Sequence, residues 1–228
     1  MEPWKKPEQR SNVKLKTMVC LILDRSGSMG GKESDVIGGV NAFLADQRKI
    51  DAPCSIAFVR FDAQAIERFR PMMALKLCTD LELHEYQPRG ATPLLDAVGQ
   101  TITQLDADWA REWPDRCIVV IVTDGLENAS REYSKAKIKA MIEARQASDQ
   151  WQFIFLGANI DAFAEAGGLG IHVQNTAAFN ATSAGIRQSY AHVSDTVSSS
   201  RLTGSTVANN LGGKIEDDGS VTRTHIAP

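Results

Sequence analysis

Several features that mark large functional classes are scarce or missing in this sequence. There are only four cysteines, Cys20, Cys54, Cys78 and Cys117, far apart and without a CxxC pair, which argues against a zinc site or a dithiol redox motif. Cys20 and Cys117 fall in or beside apolar runs, where a free thiol serves as a small hydrophobe. His84, His172, His192 and His225 lack ligand spacing, and the aromatics form no repeat suited to base stacking. Positive charge is not in excess, since 25 Lys and Arg face 28 Asp and Glu for a net charge of -3. No nucleic acid partner is expected from such a balance. No stretch approaches the ~20 apolar residues needed to span a bilayer, and "MEPWKKPEQR" lacks the apolar core of a signal peptide. A soluble, cytoplasmic chain without membrane insertion is the expectation. Finally, "SGSMGG" is neither a nucleophile elbow nor a phosphate-binding loop, and no His-Asp pair is placed to activate Ser28.

What is present is the material of one α/β domain. The 228 residues are 43% apolar, ordinary for a globular chain of this length. "TMVCLILD" (17–24), "RCIVVIVTDG" (116–125) and "WQFIFLGAN" (151–159) are near-continuous apolar runs, the pattern of strands covered on both faces. "CSIAFVRFD" (54–62) is a further strand, followed so closely by 63–72 that an antiparallel edge strand, ended by Pro71, is the economical reading. Residues 33–50 carry an apolar stripe at Val36, Ile37, Val40, Phe43 and Leu44 and predict an amphipathic helix. Thr92-Pro93 has the form of an N-cap followed by proline in the first turn, opening a helix through Leu94, Leu95, Val98, Ile102 and Leu105. Residues 130–146 predict a surface helix, and "DAFAEAG" a small one.

Strand and helix alternation predicts a Rossmann-like, mostly parallel sheet with one antiparallel edge strand and helices on both faces. Residues 1–14 read as a polar N-terminal segment and 15–175 as the domain. Residues 176–202 read as a C-terminal helix with a stripe at Phe179, Ser183, Ile186, Tyr190, Val193 and Val197. From 203 to 228 Gly, Ser, Asn and Thr dominate, and a mobile tail is expected.

Three loops lie at the expected carboxyl edge of the sheet: "DRSGS" (24–28), "GATP" (90–93) and "TDG" (123–125). Together they offer the carboxylates of Asp24 and Asp124 and the hydroxyls of Ser26, Ser28 and Thr92. Each residue alone has an ordinary use in a turn or cap. Jointly they form an all-oxygen set suited to a hard cation such as Mg²⁺, which takes about six oxygens near 2.1 Å. Two aspartates neutralise the ion, neutral hydroxyls add coordination without charge, and an open position favours an anionic oxygen from outside. Gly27 permits the tight turn and Gly125 a close backbone approach.

Asp24-Arg25-Ser26-Gly27-Ser28, followed by Thr92 in "GATPL" and Asp124 in "VTDG", resembles the complete metal-ion-dependent adhesion site of von Willebrand factor type A (vWA) domains of the cytosolic bacterial or phage kind. The resemblance spans roughly 15–175 and implies a sheet whose first and fourth strands are neighbours at the switch point, where ligands collect. It implies Mg²⁺ as the ion, with Mn²⁺ or Ca²⁺ as alternatives, ligated by Ser26 and Ser28, directly or through water by Thr92 and Asp124, and supported by Asp24. It further implies a non-enzymatic module whose protein partner presents Glu or Asp, inside an assembly that contains an ATPase.

Other readings carry less of the motif. A structural subunit with a fold-stabilising metal site uses the same residues. A Mg²⁺-dependent phosphohydrolase of the haloacid dehalogenase kind would need an acid-base aspartate where Ser26 stands. Arg89 and Met29 beside the site are candidate partner contacts, and the carboxylates of "IEDD" (215–218) are candidate ligands in cis or in a neighbouring copy.

Overall fold

The computed structural model describes residues 14–158, 160–208 and 210–223. The segment 1–13 and His225 lie outside these residues. Eight strands form one sheet in the order β3-β2-β1-β4-β5-β6-β7-β8. The strands are β1 (Thr17–Asp24), β2 (Cys54–Phe61), β3 (Ile66–Ala74), β4 (Arg116–Thr123), β5 (Trp151–Ala158), β6 (Thr176–Phe179), β7 (Gly213–Ile215) and β8 (Val221–Thr222). The helices are α1 (Glu33–Arg48), α2 (Leu94–Glu112), α3 (Lys135–Gln146), α4 (Ala162–Gly168) and α5 (Ser183–Thr203). The six inner strands run parallel, and β3 and β8 are antiparallel at the two edges. The sequence pointed to the first of these edges alone.

Continuous apolar runs build this sheet because both of its faces are covered. Along β1, Val19, Leu21 and Leu23 face the core layer of α1 and α5. The alternate residues Met18, Cys20 and Ile22 face the layer of α2, α3 and α4. All eight residues of β1 are buried. The four cysteines are free; burial pushes the Cys20 thiol up to about 12 and raises that of Cys117 well above its ordinary value, which makes both unreactive fillers.

Four expectations need correction. Pro71 does not end β3, which runs on to Ala74 with irregular pairing to β2; an edge strand tolerates a proline because its outward N–H has no partner to lose. Phe179 closes β6 and does not belong to the terminal helix, which starts at Ser183 after Thr182 accepts a capping bond from the Gly185 N–H. The described part of 203–228 is not a free tail, and residues 224–228 lie outside the described residues. This part carries β7 and β8, which extend the sheet beyond β6. Finally, α3 begins after Ser134 and not at 130, because the residues before it are engaged elsewhere.

α5 closes one face by packing on α1 through Ile186, Tyr190, Val193 and Val197. Gly39 makes the approach possible: a Cβ there would fall 2.3 Å from the Tyr190 ring. The far end of the contact is polar, with Gln47 Nε2 donating to Ser194 O at 2.9 Å and Ser198 Oγ at 2.9 Å, and buried Arg201 donating to Gln47 O at 2.7 Å. Gly39→Ala is therefore expected to cost about 1–3 kcal/mol by overpacking, measured by chemical denaturation. An unchanged midpoint would show that the two helices are not held this closely.

Candidate metal centre

The parallel pairing of β1 with β2 on one side and β4 on the other makes the carboxyl ends of β1 and β4 the switch point of the sheet. Asp24 ends β1, and Asp124 follows the last residue of β4. Asp24 is 1% exposed and lies behind the surface. Its Oδ1 accepts from the Ser26 N–H at 2.7 Å and its Oδ2 from the Thr123 hydroxyl at 2.5 Å. Burial pushes the Asp24 carboxyl above its usual range; the bonds from Thr123 and Ser26 pull the other way, and the nearby Asp124 charge adds to the rise.

The turn after β1 then brings forward Ser26 and Ser28, whose Oγ atoms are 3.0 Å apart. Adjacent oxygens of an octahedron with ~2.1 Å bonds stand about 3.0 Å apart, so the pair has the spacing of neighbouring Mg²⁺ ligands. The Ser28 hydroxyl also bonds to Asp124 Oδ1. A methyl group on Gly125 would lie 3.0 Å from Thr92 Oγ1 and 3.7 Å from Ser28 Oγ, so both hydroxyls border one small space beside Asp124. Ser26, Ser28, Thr92 and Asp124 thus converge, with Asp24 behind them. Among the described residues no group of three or more His, Cys, Asp or Glu is gathered for a metal; hydroxyl donors make up the remainder of this set. The donors are hard, their spacing suits a small ion, and the residues fit a divalent cation.

The turn after β1 is tied to the segment before α2 by backbone and side-chain bonds. The Gly27 N–H donates to Gly90 O at 2.9 Å, the Arg89 N–H to Arg25 O at 2.8 Å, and the Tyr86 hydroxyl to the Asp24 carbonyl. Gly90 adopts a left-handed φ of 69° at this crossing, where glycine is the residue without a Cβ penalty. Arg25, 4% exposed, donates to Asp62 Oδ2 at 2.8 Å, and Arg89 donates to the same oxygen at 3.1 Å. Burial would raise the Asp62 carboxyl, but the Gln64 N–H, Arg89 and Arg25 outweigh it and hold it below its usual range.

Thr92 is not the helix cap expected from its Thr-Pro sequence. Pro93 occupies the N-cap position of α2, and no side chain caps it from within. Caps come from the loop after Asp124: Glu127 Oε2 accepts from the Leu95 N–H at 2.9 Å, Ser130 Oγ from Asp96 at 3.0 Å, and Asn128 Oδ1 from Thr92 at 2.9 Å. Asp96 answers by accepting from the N–H groups of Arg131, Glu132 and Tyr133 at 2.7–2.9 Å. This reciprocal capping fixes Thr92 against Asp124 and leaves the threonine hydroxyl free for the site. An acidic residue in the first turn of a helix was the one sequence signal for it.

Two other candidates are not available to the centre. Met29 is 3% exposed and packs in the core, so it is not a contact surface. In "IEDD", Asp217 accepts from Asn180 at 3.1 Å and Glu216 pairs with Lys214 at 3.1 Å. Three to four strand spacings of ~4.8 Å, about 14–19 Å, separate β7 from β4 and β1, too far for these carboxylates to fill the site of their own chain. Arg89 keeps a 43% exposed side chain beside the loops. Lys32, which no motif singled out, places its ammonium 2.6 Å from Asp124 Oδ2.

No protein-family model and no curated protein matches the chain. Solved structures do. A von Willebrand factor type A protein from Catenulispora acidiphila superposes with a TM-score of 0.59 at 13% identity, over 80% of this chain and 42% of that one. The pilus adhesin SpaC from Lactobacillus rhamnosus GG, in an open conformation, gives 0.61 at 12% identity, over 82% of this chain and 30% of its own. Manganese-loaded TRAP protein from Plasmodium vivax gives 0.51 at 14% identity, over 74% and 70%. The chain therefore spans less than half the length of the first two. These likenesses establish the fold, and the fold is that of a vWA domain.

Two variants test the construction of the centre. Asp96→Ala strands three loop N–H groups and should lower stability by about 2–4 kcal/mol, read by denaturant unfolding; a loss below ~0.5 kcal/mol would mean the loop does not depend on this cap. Asp24 has a raised carboxyl pKa in the folded chain. Its stability contribution is thus full below the unfolded value and is lost as pH rises through the folded one. In EDTA, Asp24→Asn should melt higher than the natural chain at pH 7, with the gap closing near pH 4. Equal melting at pH 7 would contradict the burial argument.

Proposed function

We propose that this chain is a metal-dependent protein-binding module. One observation carries the reading: two serine hydroxyls at octahedral-edge spacing, a threonine hydroxyl and an aspartate border one space at the switch point of a vWA fold. Ser26, Ser28, Thr92 and Asp124 would hold Mg²⁺, directly or through water, with Asp24 fixing the turn behind them. When bound, the ion supplies a Lewis-acidic position for an anionic oxygen. The partner is a protein presenting Glu or Asp, whose carboxylate completes the coordination. The Plasmodium vivax TRAP protein, similar in fold, is manganese-loaded, which supports a divalent ion as the cofactor.

The chain's own residues define the rest of the interaction. Two carboxylates balance a 2+ charge without repelling a third, and neutral hydroxyls leave the ion electrophilic. Around the centre, Leu126 is 56% and Leu83 60% exposed, and Leu83 borders a groove of about 600 Å³ with Glu33, Tyr86 and Pro88. These surfaces offer apolar contact to residues flanking the incoming carboxylate. Among the described residues, no helix is long and apolar enough to cross a membrane. Action in the cytoplasm, without catalysis and within an ATPase-containing assembly, extends the sequence resemblance.

Affinity capture with natural chain and Asp124→Ala, each in Mg²⁺ and in EDTA, tests the proposal. Partners should be retained by the natural chain in Mg²⁺ and lost in the other three conditions. Equal retention in all four would overturn it.

A further inference from the structure

Among the described residues, Lys32 is the one cation seated on the candidate metal ligands themselves. It stands at the N-cap position of α1, at the end of the turn that carries Ser26 and Ser28. Its ammonium donates to Asp124 Oδ2 at 2.6 Å and to the Ser28 carbonyl at 2.6 Å. The pair is sheltered, with side-chain exposures of 20% for Lys32 and 3% for Asp124. Asp124 is also the only carboxylate within ion-pair distance of Lys32 among the described residues. The other oxygen, Oδ1, is taken by the Ser28 hydroxyl. Both oxygens of Asp124 are thus occupied from within the chain.

We infer that Lys32 is a tethered cation that competes with the divalent ion for Asp124 and thereby sets the affinity of the centre; the inference rests on the metal reading above. A 2+ ion and an ammonium a few ångströms apart repel in a partly buried setting. An ion that takes up Asp124 must also replace a charge-assisted hydrogen bond already formed. The lysine stem is long and flexible enough to return its head group to water once displaced. Linkage makes the effect reciprocal: if Lys32 weakens the ion, the ion releases Lys32.

The test titrates Mg²⁺ by calorimetry against the full chain and its Lys32→Met and Lys32→Arg variants. Lys32→Met keeps an apolar stem and removes the charge, and should bind Mg²⁺ about tenfold more tightly, within the ~5–150-fold span of ordinary coupling. Lys32→Arg keeps the charge and should stay close to the natural chain. In EDTA, Lys32→Met should melt lower, since Asp124 loses its partner. A second readout needs no variant: acylation of Lys32 by an amine reagent, followed by mass spectrometry, should be slow in EDTA and faster in saturating Mg²⁺. Equal or weaker Mg²⁺ binding by folded Lys32→Met, or acylation indifferent to Mg²⁺ in a chain that binds it, overturns this inference alone. Absence of Mg²⁺ binding by all three proteins overturns the metal reading and this one with it.

Discussion

The buried carboxylate of Asp24 is the constraint on which the centre depends. It lies where the first strand stops, and its two oxygens reach in different directions, one to the N–H of Ser26 and one to the hydroxyl of Thr123 on the neighbouring strand. The first contact folds the chain back so that Ser26 and Ser28 converge. The second ties that turn to the strand which delivers Asp124. A neutral side chain would meet the desolvation cost more easily; a carboxylate that accepts on both sides specifies one geometry. The raised pKa of Asp24 is the cost of that arrangement, and positions of this kind tend to be tuned for function over stability.

A second constraint lies in the exchange of caps between α2 and the loop beyond β4. Helix starts leave N–H groups without internal partners, and here a loop more than thirty residues away supplies acceptors for them, while Asp96 satisfies that loop in return. The consequence for the centre is positional. Thr92 precedes the helix, Asp124 precedes the loop, and the exchange joins the two directly. The first turn, the "GATP" loop and the Asp124 loop therefore form one braced crown, with Tyr86, Arg25 and Asp62 beneath it.

Much of this was legible in the sequence because the key residues sit at the ends of apolar runs. Burial on both faces produces runs such as "TMVCLILD" and "RCIVVIVTDG", and a polar residue that ends such a run marks the edge of the sheet. Asp24 and Asp124 were visible for that reason, and Ser26 and Ser28 through their spacing around Gly27. Lys32 was not, because a lysine ahead of a helix has the same appearance as any solvated charge. Asp96, Glu127 and Ser130 act across distances that no local pattern encodes. In sequence Phe179 continues the α5 stripe, because one apolar residue at the right interval fits a helix as well as a strand end. β7 and β8 are three and two residues long, too short for periodicity, and their polar surroundings gave the composition of a tail.

The irregular outer strand β3 has a consequence for how other chains can approach. Its exposed side carries Pro71, which has no N–H to offer, and its arginines are committed: Arg68 pairs with Asp108 and Arg70 with Glu85. At the opposite margin β8 presents two residues of backbone. Among the described residues, a guest strand seeking to lengthen the sheet would find a broken ladder on one flank and almost none on the other. Growth by pairing of sheets edge to edge is thereby discouraged.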